Sequence, residues 1–592
     1  MALRYFRQLY ALDTLDTRFV VPATAPPKEA LEEAKLDPAG PLPVQNGRGK
    51  SKDIGDNVQP PRWNTTEFYF YGVVIAVCVV LMFKSVLDVS SESHPNYPKF
   101  SHLLDDGWIP GRKVDNSDAQ YSGFRSNILY LFVVVLLHPV LRKAYDSFWR
   151  ADTYTQVRPS AAGNGGLTMG LTASAAADAR LSQRVSFDIL FAGVFLVALH
   201  GFSTFKILAI LYANYSIATK LPREYIPAAT WIFNVGTLFA NEFSRGYSYA
   251  TILGIFLSPP SEKDDATMNF GELLDSYGGL MPRWEILFKF TLLRLISFNL
   301  DYYWSLNSRA SSPWNDYTFR NYLAYTLYSP LYLAGPIVTF NDYISQQRYR
   351  PHSITPARTT KYLIRFLIVL LTMEVMIHYM YMVAIFHAAP SWSTYTPAQL
   401  SMLGFFNLKH IWLKLLIPWR FFRLWALLDG IDPPENMVRC MSDNYSVMHF
   451  WRGWHRSFNK WSLRYLYIPL GGSAVPGAWG RLLMWGWLVT LFVLPEIIAS
   501  YVFPAKKWRD RPDAYRWLCG VGAVGEILML MMANLVGFAL GLDGLGELVR
   551  GIFGTVQGWV FLGTSCAALF MAVQVMFELR EGEKRRGIVM KC

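Results

Sequence analysis

Long apolar runs, each closed by polar or turn-forming residues, recur along the chain at lengths that suit helices crossing a bilayer. Phe68–Phe83, Ser126–Leu141, Ile189–Phe205, Leu482–Phe503 and Ile552–Phe577 are nearly free of charge and approach the roughly 20 residues that a spanning helix needs. Weaker runs lie at Tyr225–Asn241, Ile286–Leu300, Tyr322–Phe340, Tyr362–Phe386, Ile411–Leu428 and Trp517–Leu540. Together they predict about ten to twelve spans, and therefore an all-α, multi-pass transmembrane bundle.

The polar residues inside these runs matter as much as the apolar ones. Lys289, Arg294, Glu374, His378, Lys414, Arg420 and Arg423 would be costly facing lipid, so they are expected to face protein or to snorkel. Glu374 and His378 stand four apart on one predicted helix, which permits a buried pair. They form a secondary polar-site candidate, with a structural role favoured over a catalytic one.

Composition agrees with a membrane protein: 52% of the 592 residues are hydrophobic, 16% aromatic and only 17% charged, too apolar for an ordinary soluble chain. The net charge of +12 is scattered among apolar runs. That suits anionic headgroups or an anionic small substrate and argues against nucleic acid. Cys78, Cys440, Cys519, Cys566 and Cys592 have no metal-ligand spacing and read as packing residues, so no metal is expected. Residues 1–66 are polar and Pro-rich and are expected to form a flexible arm, without a secretory signal. The membrane domain would run over 67–578, with a mobile Gly/Ala/Ser-rich linker at about 158–182. A basic tail would follow at 579–592, which favours a cytosolic C-terminus.

Chemistry concentrates at Tyr445–Gly472, YSVMHFWRGWHRSFNKWSLRYLYIPLGG. Read as one helix, Trp451, Trp454, Phe458, Trp461 and Tyr465 gather on one face, and Arg452, Arg456, Lys460 and Arg464 form a basic one. His455 and Asn459 fall between the two and could point into one cavity, before Pro469 and Gly471-Gly472 end the helix. An interfacial amphipathic helix, with Trp and Tyr at headgroup depth, explains much of this pattern equally well. Two polar side chains beside an aromatic stripe favour a lined pocket.

YSPLYLAGPIVTFNDYISQ at Tyr328–Gln346 and FWRGWHRSFNKWSLRYLYIPLGG at Phe450–Gly472 resemble the signatures of the membrane-bound O-acyltransferase family. LYALDTLDTRFVVPAT, the SHPNY and GWIPGRKVDNSDAQY loop, and LLMWGWLVTLFVLPE resemble its fungal glycerol-uptake protein branch. The resemblance implies a multi-pass enzyme that moves a long acyl chain from acyl-CoA, a co-substrate, to a lipid acceptor, with no bound cofactor. For this branch the implied acceptor is the lipid of glycosylphosphatidylinositol anchors in the endoplasmic reticulum. Glycerol uptake is an older assignment and the plasma membrane the other candidate location. It also implies catalytic roles for His455 and its neighbour Asn459. Trp451, Trp454, Arg452, Arg456, Lys460 and Arg464 would bind substrate, the cations attracting CoA phosphates and the aromatics lining the acyl path.

The family also carries a second histidine in the apolar helix that follows, and here the chain departs from it. All 10 histidines lie at or before His455. Only Ser473–Arg481 separate the GG pair from LLMWGW, and nine residues of helix reach about 13 Å, too short to span. Three explanations compete: a coding segment removed as an intron, a natural inactive isoform, or substitution by His455 or His449. Both flanks keep the family pattern, which favours the first. A missing span would also invert the helices downstream. The rival functions are a polyol transporter using Glu374, His378, Lys289 and Arg294, for which no internal repeat speaks, and a noncatalytic membrane scaffold.

Overall fold

A computed structural model describes residues 8–16, 60–149, 173–256, 270–306, 316–470 and 494–586. The described residues are helical almost throughout. Its principal helices are α1 Thr66–Val89, α2 Ala119–Phe148, α3 Ala173–His200, α4 Ser203–Lys220, α5 Ile226–Ser244, α6 Trp284–Ser305, α7 Phe319–Thr326, α8 Phe340–Arg348, α9 Pro356–Tyr379 and α10 Pro397–Leu428. Two short site helices follow, α11 Val447–Gly453 and α12 Arg456–Ser462. The remainder are α13 at 494–502, α14 Pro512–Phe538, α15 Gly541–Phe553 and α16 Val556–Arg585. A two-residue antiparallel ladder, Asp105–Asp106 with Lys113–Val114, pins the loop between α1 and α2.

Among the described residues seven helices are long and apolar enough to cross a membrane: α1, α2, α3, α9, α10, α14 and α16. The ten to twelve expected refer to the whole chain, and one of them, Leu482–Phe503, lies partly outside the described residues. Tyr322–Phe340 is no span, because α7 ends at Thr326 and the chain runs irregularly to α8. Its buried backbone is held by side chains: Tyr325 Oη donates to the Val338 carbonyl (2.8 Å), and the Ile337 and Phe340 N–H groups donate to Ser457 Oγ (2.9 Å) and Ser297 Oγ (3.2 Å). Irregular backbone survives at membrane depth only with such partners. The Ile189–Phe205 run breaks at Gly201 (φ 52°), and Ile552–Phe577 breaks at Gly554 between α15 and α16. The α1 and α2 faces expose Tyr69, Phe70, Val73, Val80, Leu129, Val133 and Leu136. A continuous apolar exterior of this kind fits lipid rather than water.

Most polar residues within the runs face protein and one, Lys289, reaches outward, the two placements expected. Arg294 donates to the Thr326 carbonyl (3.0 Å) and to that of Leu331. It thereby compensates the negative end of α7. Lys414 pairs with Asp118 (2.6 Å), Arg420 with Glu435 (3.1 Å) and Arg423 with both Asp432 (2.7 Å) and Glu435 (3.2 Å). Lys289 reaches outward to Glu242 (2.6 Å). An asparagine cluster of Asn214, Asn234 and Asn299 joins α4, α5 and α6, where amide bonds offer association that lipid cannot replace.

Three boundaries differ from the sequence expectation. Residues 8–16 of the predicted flexible arm are docked, with Leu9, Leu15 and Asp16 buried. Arg358 donates to the Leu15 carbonyl (3.1 Å) and Arg365 to those of Leu9 and Ala11 (3.0 Å each). Residues 173–182 of the expected linker begin α3, and Leu181 is buried. The 579–592 tail starts inside α16, which continues to Arg585. Residues 1–7 and 17–59 of the arm, most of the linker, the Ser473–Arg481 gap and the first half of Leu482–Phe503 lie outside the described residues.

Candidate functional site

Tyr445–Gly472 is not one helix. α11 ends at Gly453, Trp454 is extended, and His455 takes a left-handed conformation (φ 46°, ψ 50°) before α12 begins at Arg456. A π-helical turn, Leu463–Tyr467, follows. A non-glycine residue in this region is strained and needs its surroundings to hold it there. They do: the Arg456 N–H donates to the Asn436 carbonyl (3.0 Å), and the Ser457 N–H to Asn436 Oδ1 (3.2 Å). The Arg456 guanidinium pairs with Asp16 (2.7 Å), and Ser457 Oγ accepts from Ile337.

The break redistributes the residues that helical spacing had grouped. Arg456 turns inward to Asp16, and Arg464 pairs with Asp301 (2.8 Å), while Arg452 and Lys460 stay exposed, so no single basic face forms. Asn459 does not share a cavity with the His455 ring. Its amide reaches the Arg452 carbonyl (3.4 Å) across the break, and its N–H donates to the His455 carbonyl (3.1 Å). Trp451 packs edge-on against Phe450 (5.2 Å), and Trp454 lies against the same ring (5.4 Å).

The aromatic residues do converge on His455. Its ring lies parallel to Trp419 of α10 (centroids 4.6 Å, 6° between planes) and nearly parallel to Phe458 (5.5 Å, 14°). Phe458 stacks on Trp461 (6.0 Å, 9°), which meets Trp231 of α5 edge-on (6.2 Å). Buried His455 Nε2 has no hydrogen-bond partner among the described residues. Burial also lowers its pKa to about 4, so the imidazole is neutral at physiological pH. A neutral ring clamped between aromatic faces, with a free ring nitrogen, can donate to or accept from one substrate atom.

Next to this stack is a cavity of about 310 Å³. Trp412, Tyr445, His449, Phe450 and Trp454 line its interior, and Arg439, Arg580, Glu583 and Lys584 lie along its wall. His455 is not among its lining residues. His449 carries a relay that the sequence did not reveal. Ser446 Oγ donates to Glu496 (2.6 Å) and lies 2.9 Å from His449 Nδ1. Because the single hydroxyl proton goes to the carboxylate, Nδ1 is the donor to Ser446 and Nε2 keeps its lone pair. Burial lowers the His449 pKa as well. The wall cations are balanced by acids: Arg439 pairs with Glu583 (2.6 Å) and Arg580 with Asp443 (2.9 Å).

Other groups escaped sequence reading because their partners are distant in the chain. Tyr465 Oη donates to Asp301 (3.0 Å) and contacts Ser297 (2.7 Å), anchoring the π-turn to α6. An acid so close to the end of an apolar run was the only available signal for Asp301. Glu374 and His378 lie on α9, away from this site. Glu374 accepts from Arg125 (2.9 Å), Trp108 (2.9 Å) and Tyr121 (3.0 Å), and His378 Nδ1 bonds the Glu374 carbonyl (2.6 Å).

Comparison with known proteins bears on these residues. The family model for membrane-bound O-acyltransferases matches residues 279–484. The chain is 40% identical to the membrane-bound O-acyltransferase GUP1 of Candida tropicalis, over 99% of this chain and 95% of the relative. It is 42% identical to that of Saccharomyces cerevisiae, over 91% and 96% respectively. A segment covering 26% of the chain is 31% identical to the mouse protein-cysteine N-palmitoyltransferase HHAT, over 31% of that protein. The Candida alignment has 628 positions, whereas 99% of 592 residues is about 586, so about 42 positions have no residue in this chain.

Proposed function

This chain belongs to the membrane-bound O-acyltransferase family, and from that premise we propose that it transfers a long acyl chain from acyl-CoA to a lipid hydroxyl. The proposed acceptor is the lipid of a glycosylphosphatidylinositol anchor at the endoplasmic reticulum. The observation that carries the site assignment is His455, whose buried Nε2 is unpartnered among the described residues while its ring is fixed by Trp419 and Phe458.

In this reading the acceptor O–H loses its proton as the oxygen attacks the thioester carbonyl. The C–S bond then breaks, and CoA leaves as the thiol after taking that proton. His455, neutral at pH 7, is assigned to polarising the thioester or orienting the acceptor through one hydrogen bond. The aromatic file from Trp419 to Trp461 supports an apolar path for the acyl chain. Arg452 and Lys460, both exposed, are assigned to the CoA phosphates. Arg456 and Arg464 serve that role less well, since their guanidinium groups meet Asp16 and Asp301.

The proton acceptor is the open element. The second histidine that the resemblance implies has no match in this chain, whose 10 histidines all lie at or before His455. Within this chain the Glu496–Ser446–His449 relay presents a ring nitrogen with a lone pair beside a cavity. The deciding experiment is thioester consumption by the purified 592-residue chain in proteoliposomes, compared with a version carrying the relatives' additional residues and with His455→Ala and His449→Gln. Activity in both lengths that falls by orders of magnitude in His455→Ala supports the reading; near wild-type turnover in that variant sinks the assignment. Saturable glycerol flux without acyl-CoA would favour transport instead. No observation favours it: Glu374, Arg294 and Lys289 are engaged in separate places.

A further inference from the structure

Asp16 lies 440 residues from Arg456 in sequence, yet both side chains are buried against each other. One carboxylate oxygen, Oδ2, accepts from Arg456 Nη1 (2.7 Å) and from the Glu435 N–H (3.2 Å). The next residue, Asn436, supplies both acceptors that hold the Arg456 and Ser457 N–H groups. Asp16 therefore ties together the two strands of chain that force His455 into its left-handed turn. The segment bearing Asp16 is seated by Leu15, which packs with Tyr362, Leu424 and Leu427, and by arginines of α9. Arg420 and Arg423 bind Glu435 from the other side, on the same helix that presents Trp419.

We infer that residues 8–16 form an N-terminal latch in which Asp16 is a positioning residue for His455, acting through Arg456 and the Glu435–Asn436 backbone. This rests on the assignment of His455 above. A left-handed histidine is a high-energy conformer that persists only while its neighbours over-determine it. Removing the Asp16 charge weakens the hold on the Arg456 guanidinium and on the Glu435 N–H at once. The ring can then relax toward ordinary helical geometry and leave the Trp419 face.

Asp16→Asn keeps the size and one acceptor oxygen while removing the charge, so it isolates the ion pair. The full-length chain carrying it is expected to lose at least about tenfold in kcat for acyl transfer, with the KM for acyl-CoA little changed. Its folded fraction, read by size-exclusion chromatography and thermal unfolding in detergent, should stay near wild type. Asp16→Glu should recover part of the rate. The decisive readout is the double variant: in a His455→Ala background Asp16→Asn should have no further effect, because the group it positions is gone.

A kcat within twofold of wild type overturns the inference. So does a rate loss that tracks the folded fraction, or one that persists in full in the His455→Ala background. Absence of turnover by the wild-type chain would instead defeat the acyltransferase reading and this inference with it. Should Asp16→Asn fail to fold, Asp16→Glu gives the comparison: a carboxylate displaced by one methylene should lower kcat severalfold at an unchanged folded fraction, and a wild-type kcat overturns the inference.

Discussion

The His455 imidazole lies parallel to the Trp419 indole, with centroids 4.6 Å apart and 6° between the planes. α10 brings the indole and the left-handed turn at α12 brings the imidazole, so neither element alone sets the geometry. A parallel stack fixes the ring plane while leaving its edge nitrogens available.

Trp419→Leu keeps apolar bulk but removes the stacking face. Acyl transfer is expected to fall about tenfold or more, reflecting a misdirected ring, while stability falls by about 1–3 kcal/mol from the lost aromatic volume. Turnover assays beside thermal unfolding separate the two. A rate that follows only the folded fraction would leave the stack a packing feature.

The lowered His455 pKa, about 4 and caused by burial, fixes a sign for pH dependence. The unfolded state, with an ordinary histidine value near 6.5, binds more protons than the folded state between about pH 4 and 6.5. Stability from this group is therefore undiminished above that window and is lost as pH falls through it. His455→Gln should flatten that part of the thermal-stability profile. An unchanged acid slope in the variant would mean that the ring titrates normally.

Glu374 supplies a contrast. It accepts from Arg125, Trp108 and Tyr121 and joins α9 to α2 and the ladder loop. Glu374→Ala should destabilise the protein by about 2 kcal/mol or more, since it removes the acceptor shared by Arg125, Trp108 and Tyr121, yet leave turnover per folded molecule unchanged. A large rate loss in fully folded protein would restore it as a functional candidate.

Gly558 opens the first turn of α16 against the end of α15. A Cβ there would collide with the carbonyl oxygens of Gly551 and Ile552, which are backbone and cannot swing aside. Gly558→Ala is expected to cost about 1–3 kcal/mol, visible as a lowered unfolding midpoint in detergent. Gly563→Ala, which meets nothing within 4 Å, is the neutral control.

Much of the architecture was legible because it depends on local pattern. Apolar runs fixed the helical, multi-pass class, and charged residues inside them pointed inward, since neither property needs a partner to be identified. His455 also stood out, as a polar residue beside an aromatic stripe. Helical spacing then misled: it grouped Arg452, Arg456, Lys460 and Arg464 on one face and joined His455 to Asn459. Spacing assumes an unbroken helix, and the break at Trp454–His455 is imposed from outside by Asn436, Ile337 and Asp16.

By itself, then, the sequence determined the membrane-helix class and the segment that carries the candidate chemistry, because hydrophobic length and residue type act locally along the chain. Only the tertiary structure decided that an N-terminal aspartate holds the turn, that Trp419 clamps the ring, and that Ser446 and Glu496 orient His449. Those contacts join residues far apart in the chain. Their energies come from burial and from paired charges, which exist only after the helices have packed.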